Sequence, residues 1–431
     1  MYDINQVVKL KHFIENKIYL VLGIKYFIFF GFAYYLGFIV HVYPIYDELA
    51  YIDHVKTIGL SDNFWYLGDR NRMPLFNYLL FLFYDSKLDE QSLYERLQLA
   101  NIILTILINS TFFYLLKKYF SSILLALITN TFILFLPLGA FIGEVVVEST
   151  YYAFFSIFLL VFFNIKGKHK PRYYIFFGFT AAILYFFKAT GLLIFIISIM
   201  YLLARNPNKN NIKNILYSIS AFFATTSPYL IENYIKFNKN IFYNVNTTFY
   251  VWYDSWEQVE SGTKKYGDRV GWPDIEESLI PSASKYLQTH TVSEILERLF
   301  FGIKSFLQHY LIPGSNGFVF FLSIVLISLL NYFIFKNRKK SSKKDIKFEM
   351  KYISLLLSFL LSTSFWYSYI ADSVRFTILL FIPIYILIFK SIDLKINNID
   401  KNTSDVIEIK IVLISTCIFL VVSLVGLFFI L

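Results

Sequence analysis

Side chains able to do acid–base work gather at a few places in an otherwise apolar chain. Asp47, Glu48 and Asp53 lie in YPIYDELAYIDHV, Glu144 and Glu148 in PLGAFIGEVVVEST, Lys188 in FFKATGLL, and Asp372 and Arg375 in ADSVR. Carboxylates close to apolar surroundings hold protons more tightly than in water and act as general bases. A lysine or arginine beside them holds a phosphate, or stabilises the charge that grows on it as it leaves. Any one of these charges alone equally well caps a helix end at a water interface. What raises them above that reading is that four separate loops are expected to bring them to one face.

The elements that must position them are set by composition. Of 431 residues 57% are hydrophobic and 20% aromatic, and only 16% are charged, a balance that excludes an ordinary water-soluble globule. The apolar residues come in blocks of about 18 to 24, the thickness of a bilayer. IYLVLGIKYFIFFGFAYYLGFIV (18–40) and GFVFFLSIVLISLLNYFIF (317–335) are examples. The expected fold class is therefore an all-α polytopic membrane protein. The first block is too long for a signal-peptide core and no A-x-A-like site follows it, so it is expected to stay as an anchor.

The net charge of +10 sits in short basic clusters between apolar blocks, such as KGKHKPR (166–172) and KNRKKSSKKDIKFEMK (336–351). That is the positive-inside pattern and argues against nucleic acid as a partner. If basic clusters mark the cytoplasm, parity gives about 11 spans with the N-terminus inside and the C-terminus outside. They fall near 18–40, 93–116, two in 121–164, two in 173–204, and then 215–234, 317–335, 352–370, 376–390 and 411–430. The pair in 173–204 shares only about 32 residues, so each pass reaches roughly 24 Å. Its turn, around Lys188 and Gly191, is thus expected below the membrane surface, where a lysine is tolerable only in a cavity or enclosed by protein. The chain reads as one transmembrane domain, 1–430, with a first outer loop at 41–92 and a long outer loop at 232–316. Within the long loop, Ile295, Leu299, Ile303, Phe306 and Tyr310 repeat at helical spacing, and parity forbids a crossing, so an interfacial helix is expected there.

Metal and disulfide chemistry find little support. The one cysteine, Cys417, lies in the last apolar block, which leaves no internal disulfide and no thiolate cluster. The six histidines show no paired ligand spacing. The stretch 247–274 interleaves Tyr250, Trp252, Tyr253 and Trp256 with acids and lysines. Such rings stack on sugar faces and close over a site, or anchor a loop in the headgroup layer, and the sequence leaves both readings open.

At the level of motifs, YPIYDELAYIDHVKTIG (43–59), RNRMPLFNYLL (70–80) and YERLQLANIILTILI (94–108) resemble the opening of the GT-C glycosyltransferases. Within that superfamily they are most similar to the group of protein O-mannosyltransferases and lipid A aminoarabinose transferases. That group has an Asp-Glu pair after the first span, a basic-Pro-Pro-Leu segment closing the first loop, and an arginine opening the second span. Here Asp47-Glu48, Arg72-Met73-Pro74-Leu75 and Arg96 stand in those places, with Met73 a departure from the second proline. The resemblance continues at Glu148, at FFKATGLL (186–193), at SPYLIENYIKFNKNIFYNVNT (227–247) and at VRFTILLFIPIY (374–385), where Phe376 replaces a tyrosine.

The resemblance implies a sugar donor on polyprenyl or dolichyl phosphate and a GT-C-like bundle in a plasma (inner) membrane. The lipid tail would lie between spans, and the anomeric carbon would invert in a single displacement on the periplasmic or extracellular side. Asp47 would take the proton of the acceptor hydroxyl, and Arg72, Arg375 and Lys188 would clamp the departing phosphate. Glu48 and Glu148 would orient sugar or acceptor hydroxyls, with Glu144, Tyr250, Trp252 and Trp256 as further contacts. The acceptor is left open among glycan, lipid and protein. Some relatives bind a divalent cation between outer-loop acids, but the first loop has no Asp-x-Asp pair, so no metal and no other cofactor is expected.

Two other classes share the setting. A polysaccharide polymerase or ligase uses lipid-linked glycans but relies on a large outer loop rich in arginine or histidine, and only Arg269 and Arg298 lie in the long loop here. A transporter places its charges near the midplane of two similar halves, whereas these charges cluster at one face of unlike halves.

Overall fold

The computed structural model describes residues 4–44, 47–60, 73–168, 170–236, 252–259, 261, 281–312, 315, 317–336, 346–368, 377–399 and 401–430. All regular structure among these residues is helical. Among the described residues, five helical stretches are long and apolar enough to cross a membrane: Ile18–Val40, Glu90–Tyr119, Ile123–Phe141, Phe318–Phe335 and Thr403–Ser423.

The chain begins with α1 (Ile4–Asn16) and α2 (Ile18–Tyr35), which runs on through a wider turn at Leu36–Val40. The described residues of the expected first loop include two helices, α3 (Asp47–Leu60) and α4 (Pro74–Phe81). Pro74 opens α4 because its fixed φ and missing N–H cost nothing in a first turn. Next come α5 (Glu90–Tyr119), capped by Asp89, and α6 (Ile123–Ile133), capped by Ser122 and extended by wider and tighter turns to Phe141. The chain then passes to α7 (Glu148–Asn164), α8 (Pro171–Phe187), α9 (Thr190–Arg205) and α10 (Lys209–Lys236). The second half holds α11 (Ala283–Thr289), α12 (Val292–Leu311), α13 (Phe318–Phe335), α14 (Lys347–Tyr367), α15 (Phe381–Ile396) and α16 (Lys401–Ile430).

Helices also overlap the other expected spans, but they do not meet that length and apolarity: α7, α8, α9 and α15 are short, at 17, 17, 16 and 16 residues, and α10 and α14 are diluted with serine and threonine.

α7 is buried on every side, from Glu148 to Phe163 with only Phe154 partly open, as a helix apolar all round must be. It packs against α5, α8 and α15 and so puts its N-terminus in the middle of one end of the bundle. α8 and α9 form the expected short pair. The break falls at Lys188, whose backbone is extended (φ −155°, ψ 135°), and a side chain on Gly191 would meet the Leu184–Tyr185 backbone at 2.6 Å. The opposite end of the bundle is tied by ion pairs: Lys11 with Asp405 (2.5 Å) and Glu408 (2.7 Å), Lys390 with Asp393 (2.8 Å), and Lys166 with Glu349 (3.4 Å).

The amphipathic segment is a 20-residue helix, α12, started by a capping box between Thr291 and Glu294. Its inward face differs from the expected stripe. Tyr310 is buried and Leu299 and Phe306 partly so, but Ile303 points out. Arg298 and Gly302 take the inner positions against α14, and Phe300, Ile303, Leu307 and Leu311 form a second, outward apolar face.

Candidate active site

The site end of the bundle is organised by polar side chains of α5. Gln98 donates to the carbonyls of Gly37 (3.1 Å), His41 (3.0 Å) and Gly143 (2.9 Å), and Asn101 to those of Glu144 (2.8 Å) and Val146 (3.3 Å). One helix therefore receives both the end of the first span and the turn that leads into α7. Unpaired carbonyls in an apolar setting are costly, so these amides fix two loops that have few other backbone partners. Tyr94, Gln98, Asn101, Thr105 and Asn109 recur at three- and four-residue spacing on α5. This polar stripe in an apolar block is a legible signal that the motif reading passed over.

The Asp-Glu pair divides its labour. Glu48 is 1% exposed and accepts hydrogen bonds from the Tyr94 hydroxyl (2.9 Å) and the Val145 backbone N–H (2.6 Å). It therefore docks the first turn of α3 onto the turn before α7. Asp47, at the start of α3, is only half-buried. Both acids occupy a helix N-terminus, where the backbone dipoles favour negative charge. Asp53, one and a half turns on, is exposed and lies 4.0 Å from Lys56, away from the site.

Glu148, 4% exposed in the first turn of α7, pairs with Lys188 at 2.8 Å. The Lys188 side chain is 21% exposed and faces a cleft lined by Tyr151, Tyr152, Thr190, Ser364 and Leu379. Tyr151 and Thr190 share a hydrogen bond of 2.9 Å, so hydroxyls and one ammonium converge on the same small space. Glu144 is partly exposed, 3.8 Å from the His41 ring. Burial and the nearby Glu232 carboxylate push the Tyr78 phenol of α4 up to about 12, as expected where the first loop packs against the end of α10.

The expected site residues fall into three groups. Glu48, Glu144, Glu148 and Lys188 come together around the turn before α7, with Asp47 adjoining Glu48. Trp252 instead packs edge-on to Trp366 (5.6 Å) and against Tyr286 (5.9 Å), Trp256 is exposed, and Arg96 makes a surface pair with Asp85 at 3.4 Å. Arg72, Arg375, Tyr250 and Asp372 lie outside the described residues. Among the described residues no group of three histidine, cysteine or carboxylate side chains is placed to hold a metal. In comparisons with protein-family models, curated proteins and solved structures, the chain matches none.

Proposed function

We propose that the chain is an inverting glycosyltransferase. It would move a sugar from a polyprenyl phosphate or dolichyl phosphate to an acceptor on the outer face of the membrane, with eleven crossings and the N-terminus in the cytoplasm. The observation that carries the reading is the docking of Glu48 onto Val145. It puts the Asp47 end of α3 beside the turn that carries Glu148, and hence near Lys188 and its hydroxyl-lined cleft. A base and a cation brought to the same end of the bundle are what displacement at a phosphate-bearing carbon requires.

In this reading the acceptor hydroxyl oxygen forms the new bond to the anomeric carbon while Asp47 takes its proton. The bond from that carbon to the phosphate oxygen breaks on the opposite face, and its electron pair leaves with the phosphate. Lys188, with Arg72 and Arg375, stabilises the charge that appears there. Glu148 holds Lys188 in place between turnovers, and the phosphate shares the ammonium with it. Glu48 keeps the base-bearing helix end in position and does not react.

Transfer from a panel of polyprenyl-phosphate sugars by the detergent-purified protein tests the reading, with Asp47→Asn beside the wild type. The expected outcome is turnover in the wild type and loss of about 10²- to 10⁴-fold in the variant, the usual contribution of a positioned base. No turnover of any donor by folded wild type would rule the reaction out, and turnover that survives in Asp47→Asn would remove the base from Asp47 alone.

A further inference from the structure

Arg298 belongs to the amphipathic helix α12, yet it is 1% exposed. A guanidinium is always charged and costs several kcal/mol to desolvate, so its burial must be offset by specific partners. Its Nε donates to the Trp366 carbonyl (3.2 Å) and an Nη to the Tyr253 carbonyl (3.1 Å). The guanidinium carbon lies 4.3 Å from the centre of the Trp366 ring and 5.0 Å from that of Tyr286. The Trp366 carbonyl is in the last turn of α14, where carbonyls lack intrahelical donors and a cation is favoured. One turn along α12, a side chain on Gly302 would lie 2.0 Å from the Phe365 carbonyl, so the two backbones touch.

Four separate segments meet at this one side chain: residues 252–255, α11, α12 and the end of α14. Asp254 adds a 3.0 Å contact to His290, whose ring stacks on Tyr286 at 3.8 Å. The same last turns of α14 present Thr363 and Ser364 to the cleft that holds Lys188. The placement of the long-loop segment and of the cleft wall therefore share one anchor.

We propose that Arg298 is a positioning residue that latches the long-loop segment onto α14 and thereby sets how open the Lys188 cleft is. When its fork and ring contacts are in place, Ser364 and Thr363 stand against Tyr151 and Thr190. When they are loosened, the end of α14 moves and the cleft admits more water. A lysine keeps the charge but loses both the paired donors and the flat stacking surface. The effect on transfer rests on the function proposed above, whereas the effect on the cleft does not.

The cleft is therefore read without the reaction. Cys417 is the single cysteine, so Cys417→Ser gives a clean background. Ser364→Cys, buried in the cleft wall, then reports the cleft, and Thr57→Cys, exposed on α3, serves as a control. With a water-soluble maleimide, Arg298→Lys is expected to raise labelling at position 364 about tenfold, the scale of one lost hydrogen bond to a charged group, and to leave position 57 unchanged. Unchanged labelling at both positions would overturn the latch. If Arg298→Lys exposes both positions through unfolding, Tyr286→Leu, which takes away the Tyr286 ring beside the guanidinium together with its contacts to Trp252, Trp366 and His290 but leaves Arg298 and its two carbonyl partners, is read by the same rule: a rise confined to 364 supports the latch, and no rise refutes it. If the transfer reaction is established, Arg298→Lys should raise the donor KM more than it lowers kcat, because it disturbs the cleft and not the reacting groups. A fall in kcat alone would contradict the positioning role.

Discussion

The Glu48 carboxylate lies 2.6 Å from the backbone nitrogen of Val145, and this contact makes the two acids of the pair experimentally separable. Glu48→Ala leaves the buried Val145 N–H without its acceptor and the Tyr94 hydroxyl with only the His41 carbonyl at 3.4 Å. It should cost about 1 to 4 kcal/mol, from roughly 1 to 3 kcal/mol for the buried unpaired N–H and up to about 1 kcal/mol for the weakened hydroxyl bond. Glu48→Gln retains an acceptor oxygen and should cost less than half of that. Asp47→Asn, at a half-buried helix start, should leave stability within about 0.5 kcal/mol of wild type. Denaturant or thermal unfolding in detergent measures all three. Equal losses for Glu48→Ala and Asp47→Asn would refute the division between an anchoring and a reacting acid.

The Glu148–Lys188 pair makes a different kind of forecast, because both partners sit in low dielectric. Removing one charge should cost more than removing both. Lys188→Met alone is expected to destabilise by about 3 kcal/mol, and the double variant Glu148→Gln with Lys188→Met to regain most of that loss. A double-mutant cycle in unfolding free energy reads it directly. Additive single effects would mean that the two charges do not depend on one another.

These contacts mark the boundary of what the residues alone disclose. The break at Lys188 was legible because 32 residues flanked by basic clusters leave no room for two full crossings, and α8 and α9 indeed stop and start around it. The clustering of Glu48, Glu144, Glu148 and Lys188 followed from counting crossings. Which acid holds which partner did not follow, since Glu48 reaches Val145 across 97 positions and only helix packing decides that. The stripe Tyr94, Gln98, Asn101 was readable in principle, but a window that averages apolarity over a span hides polar residues confined to one face. Trp252 shows the opposite limit. Composition allowed a sugar platform or an anchor, and the ring stands in the aromatic cluster around Arg298.

Lys25 is a further case in which averaging hid a group. It lies inside the first span, 7% exposed, on the inward stripe with Leu22 and Phe29. Its ammonium donates to the Asn130 side chain of α6 and sits 4.1 Å from the centre of the Tyr26 ring. Asn130 in turn donates to the Asn109 carbonyl of α5 at 3.4 Å, so three helices meet in one polar layer. Asn130→Leu removes the acceptor and should cost about 1 to 3 kcal/mol, while Lys25→Met combined with Asn130→Leu should lie within about 1 kcal/mol of wild type. The comparison needs only unfolding curves in one detergent. A double variant worse than Asn130→Leu would mean that Lys25 holds the layer through some other partner.

Acid should loosen the start of α12 before it affects the spans. The Thr291 backbone N–H (2.7 Å) and hydroxyl (2.9 Å) donate to Glu294, and these bonds hold its carboxyl below the ordinary 4.5. A carboxyl whose folded pKa is depressed contributes stability that is complete above its unfolded value. That contribution fades as the pH falls through the lowered folded value. Hydrogen exchange in the first turn of α12 should therefore be flat from neutral pH down to about 4.5, once corrected for intrinsic rates, and should accelerate below it. Glu294→Gln should abolish that acid dependence. Thr291→Ala should cost about 1 kcal/mol at neutral pH through loss of the cap. Arg298 stands one turn further along the same helix, so fraying that reaches it should raise labelling at Ser364→Cys over the same acid range. Exchange that accelerates in acid while the cleft reporter stays constant would confine the capping box to its own turn and separate it from the latch.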